Sequence, residues 1–140
     1  MGFNSGFKGL TEVVIQKWQT YWDKSTKAAV TKEFFPNVRD RLKMKININP
    51  NFTAMVTGHG RTRAYRHRFR LTDKATCPCI TEDQTVDHLI YRCTLFHTNR
   101  ELLVVNFQQY GNCPASKQEL ITKHLKSFFT FTKSINFDEL

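Results

Sequence analysis

Cys77-Pro78-Cys79 is followed by His88 and then Cys93, so three thiols and one imidazole fall within seventeen residues. Thiolate sulfur and imidazole nitrogen are the donors Zn(2+) prefers, and four of them complete a tetrahedron. The spacing dictates the local backbone. One residue between Cys77 and Cys79 is closer than the commoner two, so both must leave a tight turn, which Pro78 stiffens. The gap to His88 is rich in Thr, Asp and Glu and reads as a surface loop. Cys93 follows His88 by five residues where an undistorted helix would want four, so the helix must end or distort between them. A closed set of four leaves no position for substrate, which implies a structural metal whose binding contributes to folding. A competing set exchanges His88 for His97, at an attractive three-residue gap after Cys93. Cys113 lies too far along and reads as a buried thiol.

Other chemistry is thin. His59 stands between two glycines with no Ser, Cys or acid placed to partner it, and reads as a helix-end histidine. The acids are scattered, whereas two-metal catalysis needs several that converge. No glycine-rich phosphate loop occurs. The segment just before the cysteines is different. Arg61, Arg63, Arg66, Arg68 and Arg70 fall within ten residues. Guanidinium forks suit phosphate, and these five are the candidate contacts to RNA or DNA.

The elements that must present these groups all read as helical. Leu10, Val13, Val14, Trp18, Tyr21 and Trp22 share one face at three- and four-residue spacing, predicting a helix over about 8–23 with that face in the core. Residues 24–35 read as an extended linker. Pro36 opens a short helix to about Met44, with Val38 and Leu42 inward. Asn49 caps and Pro50 starts the next, bearing Phe52, Met55 and Val56 and stopped by Gly58. The arginine run reads as a helix holding Tyr65 and Phe69 inward. Thr85 caps a short helix around His88. A further helix is expected over about 95–110, with Phe96, Leu102, Leu103, Val105 and Tyr110 apolar and Gly111 to Pro114 breaking it. Ser116 and Glu119 form a capping box for a last helix carrying Leu120, Ile121, Leu125, Phe128 and Phe129. No strand alternation or repeat is found. The expectation is a mainly α, small helical domain with a metal loop. Residues 1–9 form a flexible lead-in and 10–140 one domain, divided into a basic helical part (10–70), a zinc-binding motif (71–97) and C-terminal helices (98–140).

Composition agrees. The chain has 140 residues, of which 40% are hydrophobic, as in an ordinary globular protein. Lys and Arg number 21 against 12 acids, a net charge of +9, with a pI of about 9.6. Clustered positive charge favours a polyanionic partner, here nucleic acid. With no N-terminal apolar signal and no run approaching a membrane span, the expected setting is intracellular, nucleus or cytoplasm, where Cys-x-Cys reads as metal rather than disulfide.

Several blocks recur in a familiar order: Trp18-Gln19, Trp22-Asp23 and Ser25-Thr26-Lys27; Phe35-Pro36, Val38 and Arg41-Leu42; Thr57-Gly58-His59-Gly60, Tyr65 and Arg68-Phe69; and Cys77-Pro78-Cys79 with Thr85-Val86-Asp87-His88-Leu89-Ile90-Tyr91 and Cys93. From about Leu10 onward, the series resembles the C-terminal region of the polyprotein of insect non-LTR retrotransposons of the jockey and type-1 kind. The resemblance implies a Cys-Cys-His-Cys zinc-knuckle-like motif at Cys77, Cys79, His88 and Cys93. It also implies binding of template RNA or target DNA during element copying, and possible partners in an upstream reverse transcriptase and ribonuclease H. The polymerase's aspartate motif is absent, so no catalysis and no small-molecule substrate are expected. An alternative role is a zinc-stapled interaction module docking on the polymerase. One departure stands out, because members often place glycine after the second cysteine, where this chain has Ile80.

Overall fold

The computed structural model describes residues 3–101, 103 and 114–140, with side chains from residue 9 onward. Helix α1 spans Phe3–Lys24, α2 Ala29–Phe34, α3 Val38–Lys43, α4 Pro50–Thr57 and α5 Arg63–Arg68. A π turn follows at His88–Arg92 and a 3-10 turn at Thr94–Phe96. Residues 97–101 are helical, and α6 (Lys117–Thr122) and α7 (Leu125–Ser134) complete the order. No strand occurs among the described residues, where the one β feature is an isolated antiparallel bridge from Thr76 to Asp83. No described helix is long and apolar enough to cross a membrane. Leu102, Val105, Tyr110 and the expected break through Cys113 lie outside the described residues.

Several helix ends follow their sequence signals, but the helix expected to open at Pro36 starts at Val38 with Asn37 as its cap, and Leu42, expected inward, is exposed. Asn49 accepts from the Phe52 backbone N–H at 2.8 Å and Pro50 occupies the first turn, where its missing N–H costs nothing. Gly58 closes α4 in the left-handed conformation at φ 69. A Cβ there would also sit 3.0 Å from Val30, so the position needs glycine on two counts. Ser116 and Glu119 form the reciprocal capping box expected of them.

The core is aromatic. Phe34 stacks on Phe128 at 5.6 Å between centroids, and Phe52 meets the same ring edge-on at 5.9 Å. Phe128 thus joins α2 and α4 to α7, and α2 also packs along α6. Asn51 donates to the carbonyls of Thr132 and Ile135 at 3.1 and 2.8 Å, satisfying the open C-terminal end of α7. Cys77, Leu89, Ile90 and Cys93 belong to the same buried cluster, so the cysteine loop is part of this core.

Four further expectations are corrected. The segment read as an extended linker contains α2, because Phe34 anchors it to the core. The single C-terminal helix is two, interrupted at Lys123-His124. The first helix begins at Phe3 rather than near residue 8. Its apolar face is not core: Leu10, Val13, Val14, Trp18 and Tyr21 are exposed, Tyr21 by 71%. Its last turns dock through Trp22 Nε1 to the Phe35 carbonyl at 3.0 Å and Gln19 to Pro36 and Val38 at 2.9 and 2.8 Å, and Glu12 pairs with Arg39 of α3. Helical periodicity identifies a face but not what covers it.

Candidate metal centre

Hydrogen bonds fold residues 75–84 back on themselves. Gln84 N–H donates to the Ala75 carbonyl at 2.9 Å, Cys77 N–H to Glu82 at 3.0 Å, and Ile80 N–H to Cys77 at 2.8 Å, which closes the turn through Pro78. This aims Cys77 and Cys79 toward the chain that follows. Thr85 accepts from His88 N–H at 3.1 Å and starts the helical segment. Cys93 N–H then bonds the His88 carbonyl at 2.7 Å, five residues back. That is a π-turn bond, so the awkward five-residue spacing is met by widening one turn, which brings residues 88 and 93 onto one face. Arg100 fastens the far end by donating to the carbonyls of Cys93 and Ile90.

The ligand atoms of Cys77, Cys79, His88 and Cys93 lie within 4.8 Å of one another. Cys77 Sγ and Cys93 Sγ are 3.7 Å apart, and Cys79 Sγ is 3.1 Å from His88 Nε2. Two thiolates on one tetrahedral zinc stand about 3.8 Å apart, from the usual zinc–sulfur bond of about 2.3 Å. Burial is nearly complete for Cys77, His88 and Cys93, while Cys79 is half-buried. The four can hold a metal ion, and their chemistry suits zinc. His97, the competing fourth ligand, points to solvent with its side chain 76% exposed and faces Glu101 at 3.4 Å.

The electrostatics suit a cation. Burial works to raise the Cys79 thiol, but hydrogen bonds from the Thr81 hydroxyl and backbone, with those from Cys77 and His88, outweigh it and lower it to about 6. Burial above all pushes Cys93 up to about 12, with Cys77 and Cys79 adding to it against the Leu95 backbone N–H. Three thiolates at one buried spot repel, and a divalent ion is the natural remedy. Outside the ligands, His88 Nδ1 is buried without a well-directed hydrogen bond. Its nearest partner is Glu82 Oε1 at 3.3 Å. Arg92 grips that carboxylate with two bonds of 2.8 Å and, ahead of His88, holds it below the usual carboxylate range. A carboxylate behind the histidine fixes the tautomer that leaves Nε2 free for metal.

Gln84 is fully buried beside the cysteines. Its side chain donates toward Cys77 Sγ at 3.8 Å and accepts from Arg63 N–H at 2.8 Å, while its carbonyl accepts from Ala64 N–H at 3.3 Å. The cysteine loop and the first turn of α5 are therefore tied together. No motif signals this, because a buried glutamine in a polar stretch looks like surface.

The arginines divide. Arg66, Arg68 and Arg70 are exposed. Arg63 is turned inward, donating to the carbonyls of Leu140 and Thr76, and Arg61 lies 6.0 Å from the Phe137 ring. Phe69, expected inward, is 53% exposed.

With this geometry in view, comparison with known proteins is informative. The chain is 31% identical over 96 residues to the retrovirus-related Pol polyprotein from type-1 retrotransposable element R1 of Bradysia coprophila. It is 33% identical over 92 residues to the corresponding Popillia japonica polyprotein, and 29% over 93 residues to that of element R1 2 of Nasonia vitripennis. The chain is similar to a stretch of type-1 retrotransposon Pol polyprotein. The similarity covers about two thirds of the chain, not nearly all of it. It spans 9%, 35% and 22% of those relatives in the order given. No protein-family model and no solved structure matches.

Proposed function

We propose that this chain is a zinc-stabilised nucleic-acid-binding module of a retrotransposon Pol polyprotein, one that binds template RNA or target DNA and does no catalysis itself. The observation that carries the reading is the link through Gln84, which couples the Cys77–Cys79–His88–Cys93 set to the start of the arginine-bearing helix. Zinc would act as a cross-link, its charge compensating the thiolates and its bonds holding the loop in shape. Arg66, Arg68 and Arg70 would contact phosphates, so binding is weakly sequence-selective and falls steeply with salt. Arg61 and Arg63 serve chiefly to hold the C-terminal segment against α5. Intracellular action, in nucleus or cytoplasm, and independence of small-molecule substrates follow from this role.

Two measurements test it. Elemental analysis of protein purified without added metal is expected to find one zinc per chain, whose removal by a chelator lowers helicity; folded, metal-free protein contradicts the site. In binding titrations, the double variant Arg66→Ala, Arg68→Ala is expected to make the log–log salt slope shallower by about two units. Unchanged affinity and slope on both RNA and DNA would rule this surface out.

A second reading is favoured by a separate observation. The exposed apolar face of α1 borders a groove of about 290 Å³ lined by Trp18, Trp22, Phe35, Val38, Leu42 and Phe52 among others. Exposed apolar surface of this extent marks protein contacts. An interaction module docking on the reverse transcriptase or ribonuclease H part of a polyprotein would use it. Capture of those domains that is lost in Trp18→Ala and indifferent to added RNA would favour this reading over the first.

A further inference from the structure

We propose that His59, Tyr65 and Phe69 form a stacking platform for unpaired bases, making the ligand of this surface single-stranded nucleic acid rather than duplex. The inference rests on the nucleic-acid reading above and deepens it.

The three rings form a row. His59 and Tyr65 have centroids 5.1 Å apart, and Tyr65 and Phe69 4.7 Å. Tyr65, at the centre, is half-buried, while His59 and Phe69 at the two ends are exposed. Both end rings thus present exposed surface to a planar ligand, Phe69 with the Arg68 guanidinium over its ring. Two glycines let the backbone build this arrangement without strain. Gly58 and Gly60 both take positive φ, 69 and 92, which turns His59 back over Tyr65. Phe69 follows the last turn of α5 one helical turn beyond Tyr65, and its position as helix cap leaves its ring in water instead of the core.

Positive charge lies next to the row. Arg66, Arg68 and Arg70 are exposed beside it, and the Arg68 guanidinium lies 5.7 Å from the Phe69 ring centre. A cleft of about 410 Å³ opens next to Tyr65 and Arg68. At its wall the buried Lys117 is already paired with Glu33 and Asp87. Its ammonium is thus spoken for, which leaves phosphate to the exposed arginines. Rings that accept a base face with phosphate-binding groups alongside are the means by which single strands are held without sequence reading. Paired bases expose no face, so a duplex gains only the phosphate contacts.

The test uses the whole chain loaded with zinc. Fluorescence anisotropy measures binding to a labelled single-stranded RNA, the single-stranded DNA of the same sequence, an abasic single strand and a duplex, each across a salt series. Phe69→Ala and His59→Ala are expected to weaken binding of the normal single strands about 5- to 150-fold, the range for one lost base stack. Duplex and abasic affinities should stay within twofold, and the salt slope should hold. Phe69→Trp should retain or tighten single-strand binding. Phe69→Leu, which keeps apolar bulk without a flat ring, should behave like Phe69→Ala and covers the case in which the alanine variant fails to fold. The ratio of RNA to DNA affinity identifies which single strand is preferred. If Phe69→Leu and His59→Ala leave single-strand affinity within twofold, or weaken duplex equally, the platform is wrong although the chain binds nucleic acid. If the unaltered chain binds none of the four, the underlying reading fails with it.

Discussion

Ile80 stands where glycine would be expected, and its backbone sits in the left-handed region at φ 59. An L-residue there costs about 1–2 kcal/mol, and a β-branched one lies at the upper end. Its side chain is 85% exposed, so removing it forfeits almost no burial. Glycine relieves the strain but returns about 0.5–1 kcal/mol through the greater freedom of the unfolded chain. The balance for Ile80→Gly is a stabilisation of about 0.5–1 kcal/mol. Ile80→Asn tolerates the same conformation without glycine's entropy, and should gain about 1 kcal/mol. For a chain of this length that is a rise in Tm of about 2–4 °C. Part of the gain should appear in metal binding, because Ile80 N–H closes the turn that aims Cys77 and Cys79. Zinc affinity, measured by competition with a chromophoric chelator, should tighten about two- to fivefold. Thermal melts of the metal-free and metal-loaded forms of both variants, with Ile80→Val as the strained control, check this. If glycine and asparagine melt at or below valine, the turn holds no strain at residue 80 and the reasoning fails.

Other outcomes follow from the same geometry. In metal-free protein, iodoacetamide should modify Cys79 before Cys77 or Cys93. Its thiol is lowered from 9.0 to about 6, so it is thiolate from about pH 6 upward, while Cys93 is raised to about 12 and buried; mass spectrometry showing Cys93 labelled first would contradict this. Arg63→Ala should cost about 1–2 kcal/mol in denaturant melts, through its lost bonds to Leu140 and Thr76, yet leave the salt slope of nucleic-acid binding unchanged. A shallower slope would instead make Arg63 a phosphate contact. Lys117→Met should destabilise by about 1–2 kcal/mol, less than a fully buried pair would, because Glu33 and Asp87 remain half in water. Burial pulls the Lys117 ammonium down, but Asp87 and Glu33 outweigh it and raise it. Its contribution is therefore complete across neutral pH and fades only as pH climbs past the ordinary lysine range.

The sequence by itself determined the helical class, several caps and the three cysteine donors, while the choice of His88 over His97 needed the fold. Asn49, Ser116 and Thr85 cap because a short polar side chain reaches the N–H groups three residues on, whatever lies around it. The five-residue interval from His88 to Cys93 required a distorted helix, and a π turn is what the backbone adopts. The resemblance to type-1 elements was also legible, because it lies in residue identities. Only the tertiary structure decided which way the amphipathic faces point. Leu10 to Tyr21 have perfect helical spacing and stay in water, while a six-residue helix at Ala29–Phe34 forms where no periodicity suggested one, because Phe34 meets Phe128 from ninety-four residues away. It likewise decided that Gln84 joins the cysteine loop to α5 and that Arg63 turns inward. These outcomes depend on contacts between segments distant in the chain, and local propensity carries no information about such contacts.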